Sequence, residues 1–422
     1  MSATLVRTES RNETVRRPKL ADRLSRRTSS GRYMPEVDGV RFLAISIVLA
    51  VHLFAVAGLS SGRLMLVPPF GPIIAGSDRD PGLVAFLQYG HVGVYLFFIL
   101  SGFVLALPFI RWRVMGAKPV ALSTYFLRRV TRIEPPFIVA ALVLFLLSIA
   151  LHEPSTGQHL AATLAYSHQA AYGQLSPIDG VFWSLEAEVQ WYLIVPLLAV
   201  VLCRGTPRER LMLITIALVG TLVVQVWLGI AVLSRIALLD VLPFFLIGWL
   251  IAEIHVTRLH ERPRHSPYLD VVGIACLPLF FLALRFHSPS WRVTLPILGG
   301  IAIAAALHGR VFTRVLSMRW IAIVGGMCYS IYLLHYPVLV LGAKVLRSNG
   351  LTRGYWLLPV YALLLLLALV LSAGFFIIIE RPCMDPAWVA HVVARMRHAV
   401  PSTGSSHDGE AVRRRSRSDR PS

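Results

Sequence analysis

The stretch VDGVRFLAISIVLAVHLFAVAGL, residues 37–59, decides the fold class. A helix needs about 20 predominantly apolar residues to cross a bilayer, and this run has the length and the composition to do so. It also carries Arg41 near its start and His52 deep inside. Ionisable groups are costly in hydrocarbon and mark functional sites there, so the two residues demand a chemical reason.

The rest of the chain has the same character. Of 422 residues, 56% are hydrophobic and only 15% charged, and the mean hydropathy is +0.65. These values describe a polytopic membrane protein, not a soluble enzyme. Further apolar runs fall near 89–110, 135–151, 189–203, 211–233, 237–255, 270–286, 292–307, 320–346 and 356–379. With the first, they predict an all-α protein of about ten transmembrane helices. Cys203, Cys276, Cys328 and Cys383 are scattered through the apolar runs without Cys-x-x-Cys spacing. They read as packing residues, and neither a zinc site nor a disulfide framework is expected.

Forty-one Lys and Arg against 22 Asp and Glu give a formal charge of +19. No nucleic-acid-binding motif accompanies that charge, so the expected partner is the bilayer, with basic residues held in cytoplasmic loops. With the N-terminus inside, one set of loops collects Arg111, Arg113, Lys118, Arg128, Arg129 and Arg132, then Arg204, Arg208 and Arg210, then Arg258, Arg262 and Arg264, then Arg310, Arg314 and Arg319. The opposite segment from His152 to Glu188 holds no Lys or Arg. An even number of spans places both termini in the cytoplasm. Residues 1–36 and 383–422 read as basic, polar, disordered tails flanking a membrane domain at 37–382.

Eleven helical steps of 1.5 Å separate Arg41 from His52, about 16 Å in all, so an arginine at the inner boundary sets the histidine near mid-membrane. One reading makes Arg41 an interfacial anchor and His52 a hydrogen-bonded packing residue. The other makes the imidazole a general base in a protein-lined cavity, since its ordinary pKa lies near neutrality.

Six pieces in order, VDGVRFLAISIVLAVH, GVYLFFILSGFVL, FLRRVTRIEPPF, FWSLEAEVQWYLIVP, CYSIYLLHYPVL and IIIERP, resemble the membrane-bound acyltransferase type 3 family. The resemblance spans residues 37 to 382. It implies transfer of an acyl group, often acetyl, from a coenzyme A thioester or another acyl donor to a hydroxyl, commonly on a carbohydrate. The family's Arg-x10-His motif falls on Arg41 and His52, which the resemblance implies belong to the active site. Its Arg-x-x-Arg motif falls on Arg129 and Arg132, in a loop whose charge already assigns it to the cytoplasm, where coenzyme A is found. The chain ends soon after IIIERPCMDP and so resembles the single-module members. The acceptors to be expected are a carbohydrate, a glycolipid or a glycosylated small molecule such as a macrolide, at the inner membrane of a bacterium.

The chemistry fits these residues. A base must take the proton of an attacking hydroxyl, the role expected of His52. Guanidinium forms bidentate, charge-assisted hydrogen bonds to phosphate, which suits Arg129 and Arg132 to an acyl-CoA co-substrate, with positive-inside anchoring as their plain alternative. Glu188 lies where the family is usually acidic and is expected to bind the acceptor sugar or tune the base, whereas Glu186 reads as a surface charge. Val189 departs from the family in a place that often holds a second acid. Tyr329, Ser330, Tyr332 and His335 are polar groups in an apolar run and are expected to line the substrate site. Ser101 and Gly102 read as small packing residues, and Asp38 as a cap of its helix or a partner of Arg41. No His-Glu-x-x-His spacing occurs, so no metal or bound cofactor is expected. The competing function is a secondary transporter with a midplane His, Glu and Arg site, for which paired broken helices in two related halves would speak; the sequence has neither.

Overall fold

Apolar runs bounded by prolines, glycines and arginines become helices in the computed structural model, which describes residues 20–26, 33–60, 91–233, 237–259, 265–285, 291–351, 357–385 and 388. Residues 1–19, 27–32 and 389–422 of the expected tails lie outside it, as do the loop residues Arg262 and Arg264. A short helix α1 (Leu20–Leu24) precedes α2 (Pro35–Ser60), α3 (His91–Met115) and α4 (Leu122–Ala150). Two short helices, α5 (Gly157–Leu164) and α6 (His168–Tyr172), and a 3-10 turn (Gly180–Phe182) lead to α7 (Trp183–Leu202). Then come α8 (Pro207–Leu233), α9 (Ala237–Ile254), α10 (Pro267–Arg285), α11 (Trp291–His308), α12 (Arg310–Leu316) and α13 (Arg319–Gly326). The series closes with α14 (Cys328–Ser348), α15 (Leu357–Phe375), a π-helical turn (Phe376–Glu380) and α16 (Arg381–Cys383).

The chain is an all-α polytopic membrane protein. Among the described residues, eight helices are long and apolar enough to cross a membrane, and two shorter apolar helices stand where the spans at 270–286 and 292–307 were expected. Two spans that looked too short from their apolar runs are longer than they read. The run at 135–151 is the second half of α4, 29 residues long, and the run at 189–203 belongs to α7, 20 residues long. In α4 the first turns carry Arg128, Arg129 and Arg132, so these residues sit on a helix and not in a loop. Hydropathy marks where a helix meets lipid, whereas backbone hydrogen bonding continues beyond it.

Close helix packing fixes the centre. A Cβ on Gly102 of α3 would collide with the carbonyl of Phe245 on α9, and one on Gly248 would collide with that of Ile99. Paired glycines let the two backbones touch where larger residues would hold them apart, the usual device of membrane helices. Gly39 on α2 meets Leu316 of α12 in the same way, and Gly325 on α13 meets Asp38. Trp191, Phe245 and Trp249 fill the seam between α7 and α9. Outward faces of α4, α8 and α15 carry exposed Leu, Val and Ile, as lipid-facing surfaces do.

Candidate active site

At the basic end of α2 a buried carboxylate gathers two cations. Asp38 is 1% exposed; it accepts hydrogen bonds from Arg41 one turn on and from Arg26 of the N-terminal segment at 3.0 Å. The expected pairing of Asp38 with Arg41 is present, and Arg26 joins it. From this cluster a cavity of about 620 Å³ runs between α2, α3, α4, α7 and α14. Its walls carry six cations, Arg26, Arg41, Lys118, Arg128, Arg129 and Arg132, against one carboxylate, Glu188.

The cations are held in different ways. The Arg129 guanidinium lies over the Tyr125 ring, 3.6 Å from its centroid, and donates to the Tyr125 carbonyl at 2.6 Å. Its Nε is buried without a partner among the described residues. A cation stacked on an aromatic face keeps its charge while losing water, which leaves donors aimed at an incoming anion. Arg132 lines the same cavity one turn further.

Beside the cations the wall carries a hydrogen-bonded set of polar side chains, with the Tyr192 ring centroid 5.7 Å from the Arg129 guanidinium. Tyr192 Oη donates to Glu188 Oε1 at 2.5 Å, and Ser101 Oγ donates to the same oxygen at 3.2 Å. Ser101, expected to be a packing residue, is therefore part of the cavity wall, while its neighbour Gly102 does the packing. On the α14 side Tyr332 Oη donates to the Val181 carbonyl at 2.6 Å and meets Ser184 Oγ at 2.5 Å. Tyr329 also lines the cavity and donates to the Ile133 carbonyl at 3.0 Å.

His52 is not among the residues that line this cavity; it is half-buried against Tyr336. Its Nδ1 is 2.9 Å from Nε2 of His335, and the Tyr332 and His335 ring centroids are 5.8 Å apart. His335 is fully buried, and its Nδ1 faces the carbonyls of Ile331 at 2.9 Å and Tyr332 at 2.8 Å. Carbonyl oxygens only accept, so the His335 proton sits on Nδ1 and its Nε2 is an acceptor. His52 must then donate from Nδ1, which assigns the lone pair of the neutral ring to Nε2. A base whose tautomer is fixed by a second ring is what general-base chemistry uses.

Several expected residues stand elsewhere. Ser330 is fully buried and does not line the cavity; its backbone N and its Oγ both donate to Glu380, at 3.0 and 2.5 Å. His335 supports His52 and is absent from the cavity wall. Glu186, expected on the surface, is 3% exposed, and its carboxylate accepts the backbone N–H groups of Gln169 and Ala170 at the start of α6. The reason is that the chain from 167 to 182 folds back over α7 and covers it. Arg26, Tyr125, Ser184 and Tyr192 line the cavity without having been singled out in the sequence. Of these, only Tyr192 had a signal: it lies four residues after Glu188, on the same helix face.

A family model described as an acyltransferase domain, Acyl_transf_3, matches residues 34–378. The peptidoglycan O-acetyltransferase OatA of Listeria monocytogenes is 25% identical over 362 residues, 75% of this chain and 51% of that protein. The O-acetyltransferase OatA of Staphylococcus aureus is 23% identical over 350 residues, 74% of this chain and 51% of that protein. The putative membrane-bound transacylase BcsY of Komagataeibacter xylinus is 23% identical over 383 residues, 86% of each chain. The chain thus spans about half the length of the two O-acetyltransferases. No solved structure matches.

Proposed function

Since the chain belongs to the Acyl_transf_3 acyltransferase family, we propose that it is an integral membrane O-acyltransferase that moves an acetyl group from acetyl-CoA to a hydroxyl of a carbohydrate or glycosylated acceptor. The observation that carries this reading is a cavity whose described walls hold six cations, with a tautomer-fixed histidine linked to it through Tyr332 and His335. Coenzyme A bears phosphates at one end and the thioester at the other, and the cations suit the first as the histidine suits the second. The basic end faces the cytoplasm in this reading, and the protein resides in the cytoplasmic membrane.

Arg129 and Arg132 bind the donor phosphates, and the acyl arm runs along Ser101, Tyr192 and Tyr332 toward His52. His52 Nε2 takes the proton of the acceptor hydroxyl as its oxygen attacks the thioester carbon. The C–S bond then breaks, and the departing sulfur receives the proton that His52 holds. The cycle returns the histidine to its neutral tautomer, with His335 keeping Nδ1 engaged throughout. Arg41, held by Asp38, stabilises negative charge in the cavity, and Glu188, poised by Tyr192 and Ser101, orients the reacting groups. Fixed donors in a water-poor site are worth far more than in bulk water.

The test is release of free coenzyme A from acetyl-CoA by the purified protein with a panel of glycoside acceptors, wild type beside His52→Ala. Acceptor-dependent release that disappears in the variant is the expected result. A folded wild-type protein that releases none with any acceptor or donor would remove the acyltransferase reading and return attention to transport.

A further inference from the structure

The family match begins at residue 34, yet one of the six cavity cations, Arg26, comes from before it. The segment that carries it is seated on the basic face by contacts from three directions. Arg319 donates to the Asp22 carboxylate at 2.9 Å. Arg381 donates to the Asp22 carbonyl at 3.0 Å. The stem of Arg26 rests on Gly326, where an added Cβ would come within 3.3 Å of that of Arg26. The Arg319 pair is solvent-exposed and of small energetic weight; the backbone contact and the glycine shelf set the position.

From this seat the guanidinium enters the cavity. It donates to Asp38 at 3.0 Å with its side chain 16% exposed, and its Nε is buried without a partner among the described residues. Asp38 is already engaged by Arg41, so one carboxylate serves two guanidinium groups and the cluster keeps an excess of positive charge. Burial, then the nearby Arg132 and Arg41, pull Arg26 down to about 9. An anion placed among these groups would relieve their mutual repulsion and satisfy the open Nε donor.

We propose that Arg26 is a phosphate-binding residue of the donor site, contributed by a segment outside the shared acyltransferase domain, and that Leu20–Arg26 is a strap forming one wall of that site. The inference rests on the acyl-CoA reading above and extends it to a group that recognises the nucleotide end of the donor.

The test uses the full-length protein in detergent and two acetyl thioesters, acetyl-CoA and the phosphate-free S-acetyl-N-acetylcysteamine, with binding of coenzyme A measured separately by calorimetry. Arg26→Ala should raise the Kd for coenzyme A and the KM for acetyl-CoA about tenfold, the loss of one charge-assisted hydrogen bond. The ratio of kcat/KM for acetyl-CoA to that for the phosphate-free thioester should fall by a similar factor, and Arg26→Lys should recover part of it. A residue that served only as a partner of Asp38 would lower both thioesters alike and leave the ratio in place, which overturns the proposal. Where Arg26→Ala does not fold, Arg26→Gln keeps the stem on Gly326 and carries the same comparison. Coenzyme A binding by wild type with no change in the variants removes the role of Arg26 alone, whereas absence of binding by wild type removes the acyl-CoA reading together with it.

Discussion

His335 Nε2 lies 2.9 Å from His52 Nδ1, and because the other ring nitrogen of His335 faces two carbonyls, the pair has one consistent neutral tautomer. Loss of a general base costs about 10²–10⁴ in rate, the effect expected for His52→Ala in the coenzyme A release assay. His335→Ala should retain the base but free its ring to turn and change tautomer, so kcat should fall by about tenfold or more while KM for acetyl-CoA changes little. Equal kcat values for His335→Ala and wild type would separate the two histidines.

Arg129 is held by its own stack on Tyr125 and by the Tyr125 carbonyl. Arg129→Ala should raise KM for acetyl-CoA about tenfold through one lost charge-assisted contact. Arg129→Lys should restore little, since an ammonium has neither the planar fork nor the stacking face. Donor titrations on the three proteins decide it; wild-type kinetics in Arg129→Ala would end the phosphate role.

Asp179, 3% exposed, caps the 3-10 turn by accepting the Val181 N–H at 3.1 Å, and its second oxygen is buried without a partner among the described residues. Burial pushes its carboxyl from 3.8 up to about 8. The folded state therefore keeps a proton that the unfolded chain releases, and its stabilisation is full below about 3.8 and lost as pH rises through about 8. Asp179→Asn keeps the capping oxygen and cannot ionise, so its thermal stability in detergent should gain on wild type steadily as pH rises across that window. A constant difference between the two curves would contradict the assignment.

Arg210 Nε meets Glu253 Oε1 at 2.7 Å, with side chains 5% and 1% exposed. Arg210→Ala strands a buried carboxylate and should cost about 3–5 kcal/mol, whereas replacing both partners by apolar residues should cost far less. Denaturation midpoints of the single and double variants measure the difference. A double variant as unstable as the single one would show that the pair is held for another reason.

How much of this was legible in the sequence depends on the range of the contacts. Helices and their burial follow from local apolar runs, and the Arg41 to His52 spacing is local too, so both could be read directly. The extent of α4 could not, because its first turns are basic and the hydropathy run begins only at Pro135, after Arg132. His335, which meets His52, lies 283 residues from it, and nothing in the run CYSIYLLHYPVL distinguishes it from Ser330, which is engaged by Glu380. Glu186 reads as exposed because it stands at the mouth of an apolar run, and the backbone N–H groups that its carboxylate accepts lie 17 and 16 residues back in the chain. Arg26 sat among many arginines of a polar tail, and only the fold separates it from its neighbours.

The glycine contact between α3 and α9 also sets how the cavity can respond to what enters it. Ser101 rides next to Gly102, whose backbone rests directly on that of Phe245, with Gly248 closing the same seam against Ile99. With backbone against backbone there is no side chain to swing aside and no gap for the wall to retreat into. Room for a bulkier occupant must therefore come from elsewhere in the wall, where Tyr125 of α4 and Tyr329 and Tyr332 of α14 contribute side chains that can turn.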